Sequence, residues 1–139
     1  MREIFVDTAG WGHLVDPNQR FHDLSTQIYR EARESGMLLL TSNYVLAELV
    51  ALLTNPLRAP RARLIAFIDS LKSAEHIEVL HIDAELDQRA WSLLRERQDK
   101  SWSLVDCASF VVMNERGIRD AFTSDHHFTQ AGFRCLLEE

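Results

Sequence analysis

The sequence predicts an α/β protein, and two observations carry the prediction. Short β-branched or aromatic runs alternate along the chain with segments of helical apolar spacing, the order that builds a sheet covered by helices. Acids also recur where strand runs end: Asp7 follows Glu3-Ile-Phe-Val6, and Asp125 lies just beyond Ala121-Phe122-Thr123. The carboxyl ends of the strands are where open α/β sheets bind ligands.

In chain order, Glu3 to Val6 is the first strand, and the Thr8-Ala-Gly-Trp-Gly12 segment after Asp7 reads as a glycine-punctuated loop. Phe21, Leu24, Ile28 and Ala32 set a helix over Phe21 to Glu34, with Gly36 as its stop. Met37 to Leu40 is a short buried strand, and Thr41 and Ser42 are N-cap candidates for a helix from Asn43 to Thr54. Pro56 and Pro60 punctuate a connection carrying Arg58, Arg61 and Arg63, which reads as a solvated basic turn, with phosphate contact as the functional alternative. The next helix runs to Lys72 on the stripe Leu64, Ile65, Phe67, Ile68 and Leu71, and forms a hairpin with its predecessor.

Ile77 to Ile82 alternates like a strand, and Asp83 caps a helix from Ala84 to Arg97 whose inner face is Leu86, Ala90, Leu93 and Leu94. The loop Gln98 to Trp102 leads into a helix from Ser103 to Glu115 that is apolar nearly all round and is therefore buried, with the turn at Gly117. After Asp125 come His126-His127-Phe128, with a short helix over His126 to Ala131 as the alternative in which Asp125 is an N-cap; Ala131-Gly132 is a stop, and Phe133 to Leu137 is the last strand.

At 139 residues the chain is a single domain, 1–139, large enough to bury a core without staples. The longest apolar run, Tyr44 to Leu53, is broken by a glutamate and is far too short to span a bilayer. The N-terminus moves straight into a strand and lacks the apolar region of a signal peptide. Cys107 and Cys135 do not suggest a disulfide framework, so a reduced, cytoplasmic protein is expected. A net charge of −6 argues against nucleic acid held by simple electrostatics, although a carboxylate site would itself supply several of those charges and a bound cation would reverse the local sign.

Glu48 is the most informative single residue. It is the only ionisable group among Tyr44, Val45, Leu46, Ala47, Leu49, Val50, Ala51, Leu52 and Leu53, and a buried carboxylate costs several kcal/mol, on the order of 3 to 5, unless it is paired, protonated or cation-bound. A salt bridge with an arginine or a partner-facing position are its structural alternatives. Asp106 occupies the first turn of the apolar helix, where Ser103-Leu-Val-Asp106 also fits a capping box. Asp125 also fits an N-cap. Asp99 is a possible outer member of an acidic site, or a solvated loop aspartate. The His126-His127 pair beside Asp125 invites zinc, but neither a cysteine pair nor an H-x-x-x-H helix supplies the remaining ligands. Trp11 and Trp102 lie near these acids in sequence and offer stacking surfaces for bases, or core filling.

The order of strand with acid, helix with one glutamate, apolar helix with aspartate in its first turn, and strand with acid resembles the PIN domain, in particular the VapC-type toxin ribonucleases of bacterial toxin–antitoxin pairs. The matching residues are Asp7 in FVDTAGW, Glu48 in TSNYVLAELVALL, Asp106 in DKSWSLVDCASFVVM and Asp125 in AFTSDHHFTQAGF, with T-x-D-x-H-F-x-x-A-G-F as the most specific segment. The resemblance spans nearly the whole chain. One departure is Thr8-Ala9-Gly10 after Asp7, where the family often carries a second hydroxyl residue.

This resemblance implies a three-layer α/β/α sandwich with a mostly parallel central sheet. It further implies that Asp7, Glu48, Asp106 and Asp125 form an acidic cluster holding Mg²⁺ or Mn²⁺, with Thr123 and Asp99 as possible accessories. The implied partners are an RNA substrate, a cognate antitoxin and a second copy in a homodimer. The chemistry also follows from the residue types: packed carboxylates stay ionised only with a hard cation, and such a cation promotes in-line attack on a phosphodiester. The alternative is a non-catalytic domain of the same fold that binds RNA or protein. A phosphatase or receiver domain is disfavoured, because Asp7-Thr8-Ala9 lacks the second acid and no lysine follows Lys100.

Overall fold

The computed structural model describes residues 2–138. Five strands form one sheet in the order β3-β2-β1-β4-β5, from β1 (Glu3–Val6), β2 (Leu38–Ser42), β3 (Ile77–Leu80), β4 (Asp120–Phe122) and β5 (Arg134–Cys135). All four pairings are parallel. The helices are α1 (Thr8–Val15), α2 (His22–Glu34), α3 (Asn43–Thr54), α4 (Arg61–Ser73), α5 (Ala84–Glu96), α6 (Leu104–Arg116) and α7 (His126–Gln130).

Successive strand residues point to opposite faces of a sheet. Ile4, Phe5 and Val6 are nonetheless all buried, so both faces of β1 are covered, as parallel sheets require. Alternation of elements along the chain thus becomes the layered α/β architecture.

The strand order places β1 between β2 and β4, so the connections leaving β1's neighbourhood run to opposite sides. That is a topological switch point, where the carboxyl ends of adjacent strands open a crevice. Phe5 pairs with Ala121 and Val6 with Phe122, and the next residue of each strand, Asp7 and Thr123, face one another at its mouth.

The expected loop after Asp7 is instead the helix α1. Its glycines serve close packing: a Cβ on Gly10 would lie 2.1 Å from the Phe122 carbonyl oxygen. Glycine here lets a helix start directly at the end of β1 while touching the backbone of β4. Elsewhere the local signals hold. Ser42 caps α3 by accepting from the Val45 amide, Asp83 caps α5, and Gly117 ends α6 at φ 69°. Thr41 is not a cap; its hydroxyl donates to the Val6 carbonyl (2.9 Å) and accepts from Trp11 Nε1 (3.2 Å). The last strand contracts to two residues.

The core is continuous from Phe5 through Phe110, Phe128 and Phe133, whose rings meet stacked, edge-on or tilted. α6 is buried from Asp106 to Met113, as its all-round apolar sequence predicts. Cys107 and Cys135 are both free. No helix among the described residues is long and apolar enough to cross a membrane.

Candidate active site

Asp7 is the first residue after β1 and the N-cap of α1, but its side chain makes no capping bond. It is nearly fully buried. Thr123 Oγ1 donates to Asp7 Oδ2 at 3.3 Å, while Oδ1, also buried, accepts no hydrogen bond. Thr123 at the same time accepts from the Asp125 amide (3.0 Å), so one hydroxyl ties both strand-end acids together. Asp125 in turn caps α7 by accepting from the His127 amide.

Asp106 enters from α6. The capping box is complete: Ser103 Oγ accepts from the Asp106 amide, and Asp106 Oδ2 accepts from the Ser103 amide, both at 3.0 Å. The capping box thus leaves Asp106 at the crevice, because the first turn of α6 abuts it. One carboxylate oxygen from each of Asp7, Asp106 and Asp125 lies within 4.8 Å of the other two.

Glu48 borders the same cleft together with Thr8, Leu52, Ser101 and His127. Its helix is buried on one side only, so Glu48 is half-buried and not fully enclosed as the apolar run suggested. Its compensation is the Thr8 hydroxyl, which donates to Oε1 at 2.8 Å. Asp99 sits apart, exposed in the loop before α6, where both carboxylate oxygens accept from the Arg97 guanidinium.

The cluster is electrostatically loaded. Burial, reinforced by the charges of Asp106, Glu48 and Asp125, pushes Asp7 up from 3.8 to about 7, with the Thr8 amide pulling the other way. Glu48 is also raised, chiefly by burial and then by Asp106 and Asp125, against the Thr8 hydrogen bond. Like charges in a desolvated site disfavour ionisation unless a cation joins them.

The two tryptophans are not available for stacking on bases. Trp11 is completely buried, and Trp102 is buried with its Nε1 donating to Gln130. Arg58, Arg61 and Arg63 are exposed, with Arg58 and Arg63 beside an open groove that also includes Val15, Leu57 and Phe67. His126 is exposed, whereas His127 turns into the cleft, its Nδ1 3.0 Å from Asp106 Oδ2 and 3.4 Å from Asp125 Oδ1. The sequence does not point to Thr8, because its segment reads as loop; the helix that begins at Thr8, right after β1, brings its hydroxyl to Glu48.

Comparison with known proteins agrees with this geometry. A PIN-domain family model matches residues 4–134. The 23S rRNA-specific endonuclease VapC20 of Mycobacterium tuberculosis is 33% identical over 130 residues, covering 94% of this chain and 95% of the relative; the sequences from strains CDC 1551 / Oshkosh and ATCC 25618 / H37Rv match equally. The crystal structure of M. tuberculosis VapC20, described as a Sarcin-Ricin loop cleaving toxin, aligns with a TM-score of 0.83 at 31% identity, over 94% of this chain and 95% of that one. With a parallel sheet, acids gathered at its switch point, and this match along nearly its whole length, the chain belongs to the PIN-domain family, among the VapC-type toxin endoribonucleases.

Proposed function

We propose that the cleft hydrolyses RNA phosphodiester bonds with a divalent cation, Mg²⁺ or Mn²⁺, held by Asp7, Asp106 and Asp125 and supported by Glu48. The observation that carries this is Asp7 Oδ1. A buried carboxylate oxygen without a donor costs free energy in a cleft already crowded with acids. A hard cation taking oxygen ligands relieves both costs at once, and the donor set consists of the carboxylates such ions prefer. When bound, the cation supplies a Lewis acid and an activated water for attack on phosphorus.

The chain's own residues fix the carboxylates in place. Thr123 holds Asp7 Oδ2, the Ser103 amide holds Asp106 Oδ2, and Thr8 holds Glu48 Oε1. Each of these bonds falls on one oxygen of its carboxylate. Asp99, committed to Arg97, has no part in this arrangement.

The substrate read from the relative is 23S rRNA, with the sarcin–ricin loop as target. Its test is incubation of purified protein with rRNA, with Mn²⁺ and with chelator. Cleavage at a discrete position that requires metal is the expected result; cleavage unaffected by chelator would sink the metal reading. Thermal unfolding gives an independent check. Millimolar Mn²⁺ should raise the wild-type midpoint, since only native-state binding stabilises in this way. Glu48→Gln should weaken that response, and an undiminished rise would remove Glu48 from the site.

The family resemblance also supports a cognate antitoxin and a homodimer. Light scattering at twice the 16.0 kDa chain mass is expected for the protein alone, and a species of single-chain mass would count against the dimer.

A further inference from the structure

We infer that His127 is a positioning residue, which holds the Asp106 carboxylate in the orientation that receives the cation. This inference rests on the metal-site reading above and concerns a side chain outside its acidic set. Nδ1 of His127 lies 3.0 Å from Asp106 Oδ2 and 3.4 Å from Asp125 Oδ1. Both neighbours are carboxylate oxygens, which accept, so Nδ1 carries the proton and donates. The other ring nitrogen, Nε2, meets Ser101 Oγ at 3.3 Å, at the rim of the cleft.

The bond to Asp106 falls on the oxygen that the Ser103 amide also reaches. Two donors from different elements, one from the α6 cap and one from α7, therefore converge on Oδ2. A carboxylate held on one oxygen by two donors at an angle loses its freedom to rotate, and Oδ1 is the oxygen left with lone pairs to offer. Groups of this kind behind a metal ligand set its direction and basicity.

The imidazole is itself held in place. The next residue, Phe128, is completely buried among Phe5, Phe110 and Phe133. The His127 amide donates to Asp125 Oδ1 (3.0 Å), and the Asp125 carbonyl accepts from Cys135 Sγ (3.4 Å). α7 is thus anchored from both ends of the contact, and the ring reaches Asp106 from a rigid base. His126 shows the contrast: its ring lies tilted against that of His127, centroids 4.6 Å apart, but it is largely exposed, with Nδ1 3.9 Å from Asp125 Oδ1.

The test uses three variants that differ in where an N–H survives. His127→Asn keeps a donor at the position of Nδ1, His127→Gln moves it to the position of Nε2, and His127→Leu removes it. The readout is the apparent Mn²⁺ dissociation constant from the metal dependence of the unfolding midpoint, with the metal-free midpoint as the check on folding. Loss of such a supporting contact should weaken Mn²⁺ binding about 10- to 100-fold in the leucine and glutamine variants, with asparagine close to wild type. Wild-type Mn²⁺ affinity in the leucine variant would overturn the inference even if RNA cleavage were lost, and so would an asparagine variant as weak as leucine. Should the leucine variant fail to fold, the asparagine–glutamine pair alone decides. A wild-type protein with no Mn²⁺ response at all would overturn the metal-site reading itself, and this inference with it.

Discussion

Asp7→Asn is expected to lower the RNA cleavage rate by roughly three orders of magnitude, the scale of losing one group that stabilises developing charge in a desolvated site. The substitution is nearly isosteric and keeps the contact with Thr123, so the fold survives. Stability should move in the opposite direction from activity. Asp7 is held near 7 in the folded protein against an ordinary value of 3.8, chiefly by burial. A group raised in this way binds its proton more tightly in the folded state, so its contribution is fully present below about pH 4 and is lost as pH rises through about 7. In metal-free buffer the wild type should therefore lose up to about 4 kcal/mol across that window on this account. Asparagine has no proton to lose.

Urea unfolding with chelator at about pH 5 and about pH 8 checks this, because the gap between variant and wild type should widen at the higher pH in favour of the variant. Added Mn²⁺ should restore the wild type, since the cation binds the ionised form. A pH-independent gap, or a variant that cleaves at full rate, would remove Asp7 from the centre of the site.

The second large effect concerns folding. Gly10→Ala should destabilise the protein by roughly 3 kcal/mol or more, the upper end of overpacking penalties. Helix propensity alone predicts the reverse, a gain of about 1 kcal/mol for alanine within a helix. Geometry decides between them. The new methyl would stand 2.1 Å from the Phe122 carbonyl oxygen and 3.0 Å from its carbon, both backbone atoms that a rotamer change cannot move. α1 would have to withdraw from β4, breaking the bond from the Asp7 amide to the same carbonyl (3.3 Å) and carrying Thr8 away from Glu48. Cleavage should fall together with stability. Gly12→Ala is the control: its methyl would meet only the Leu52 side chain at 3.1 Å, which has room to adjust. Equal urea midpoints for the two variants would mean that α1 does not pack on β4 as described.

The site was legible to the extent that it rests on local signals. Asp7 and Asp125 stand out as acids at the ends of β-branched runs, and Glu48 as the lone acid of an apolar helix; the structure brings Asp7, Asp106 and Asp125 together and sets Glu48 at the border of their cleft. The capping box at Ser103 and Asp106 was equally visible, since it spans a single turn. The cap does not by itself speak to clustering: the capped Asp106 also has a carboxylate oxygen within 4.8 Å of oxygens of Asp7 and Asp125. The reading of Thr8-Ala-Gly-Trp-Gly12 as loop failed for an instructive reason: the glycines that argue for a turn by propensity are required there by tertiary contact.

By itself, then, the sequence determined the alternation of strands and helices, their caps and stops, and which carboxylates are out of place in apolar surroundings. All of these depend on residues within a turn or two of one another, where spacing and side-chain chemistry suffice. The tertiary structure decided the rest: the order β3-β2-β1-β4-β5, the close approach of α1 to β4, the half-exposure of Glu48, and the convergence of His127 with Ser103 on Asp106. The Thr123 bond to Asp7 joins residues 116 positions apart. Such pairs are set by how parallel crossovers stack strands side by side, and no local pattern in the chain encodes that distance.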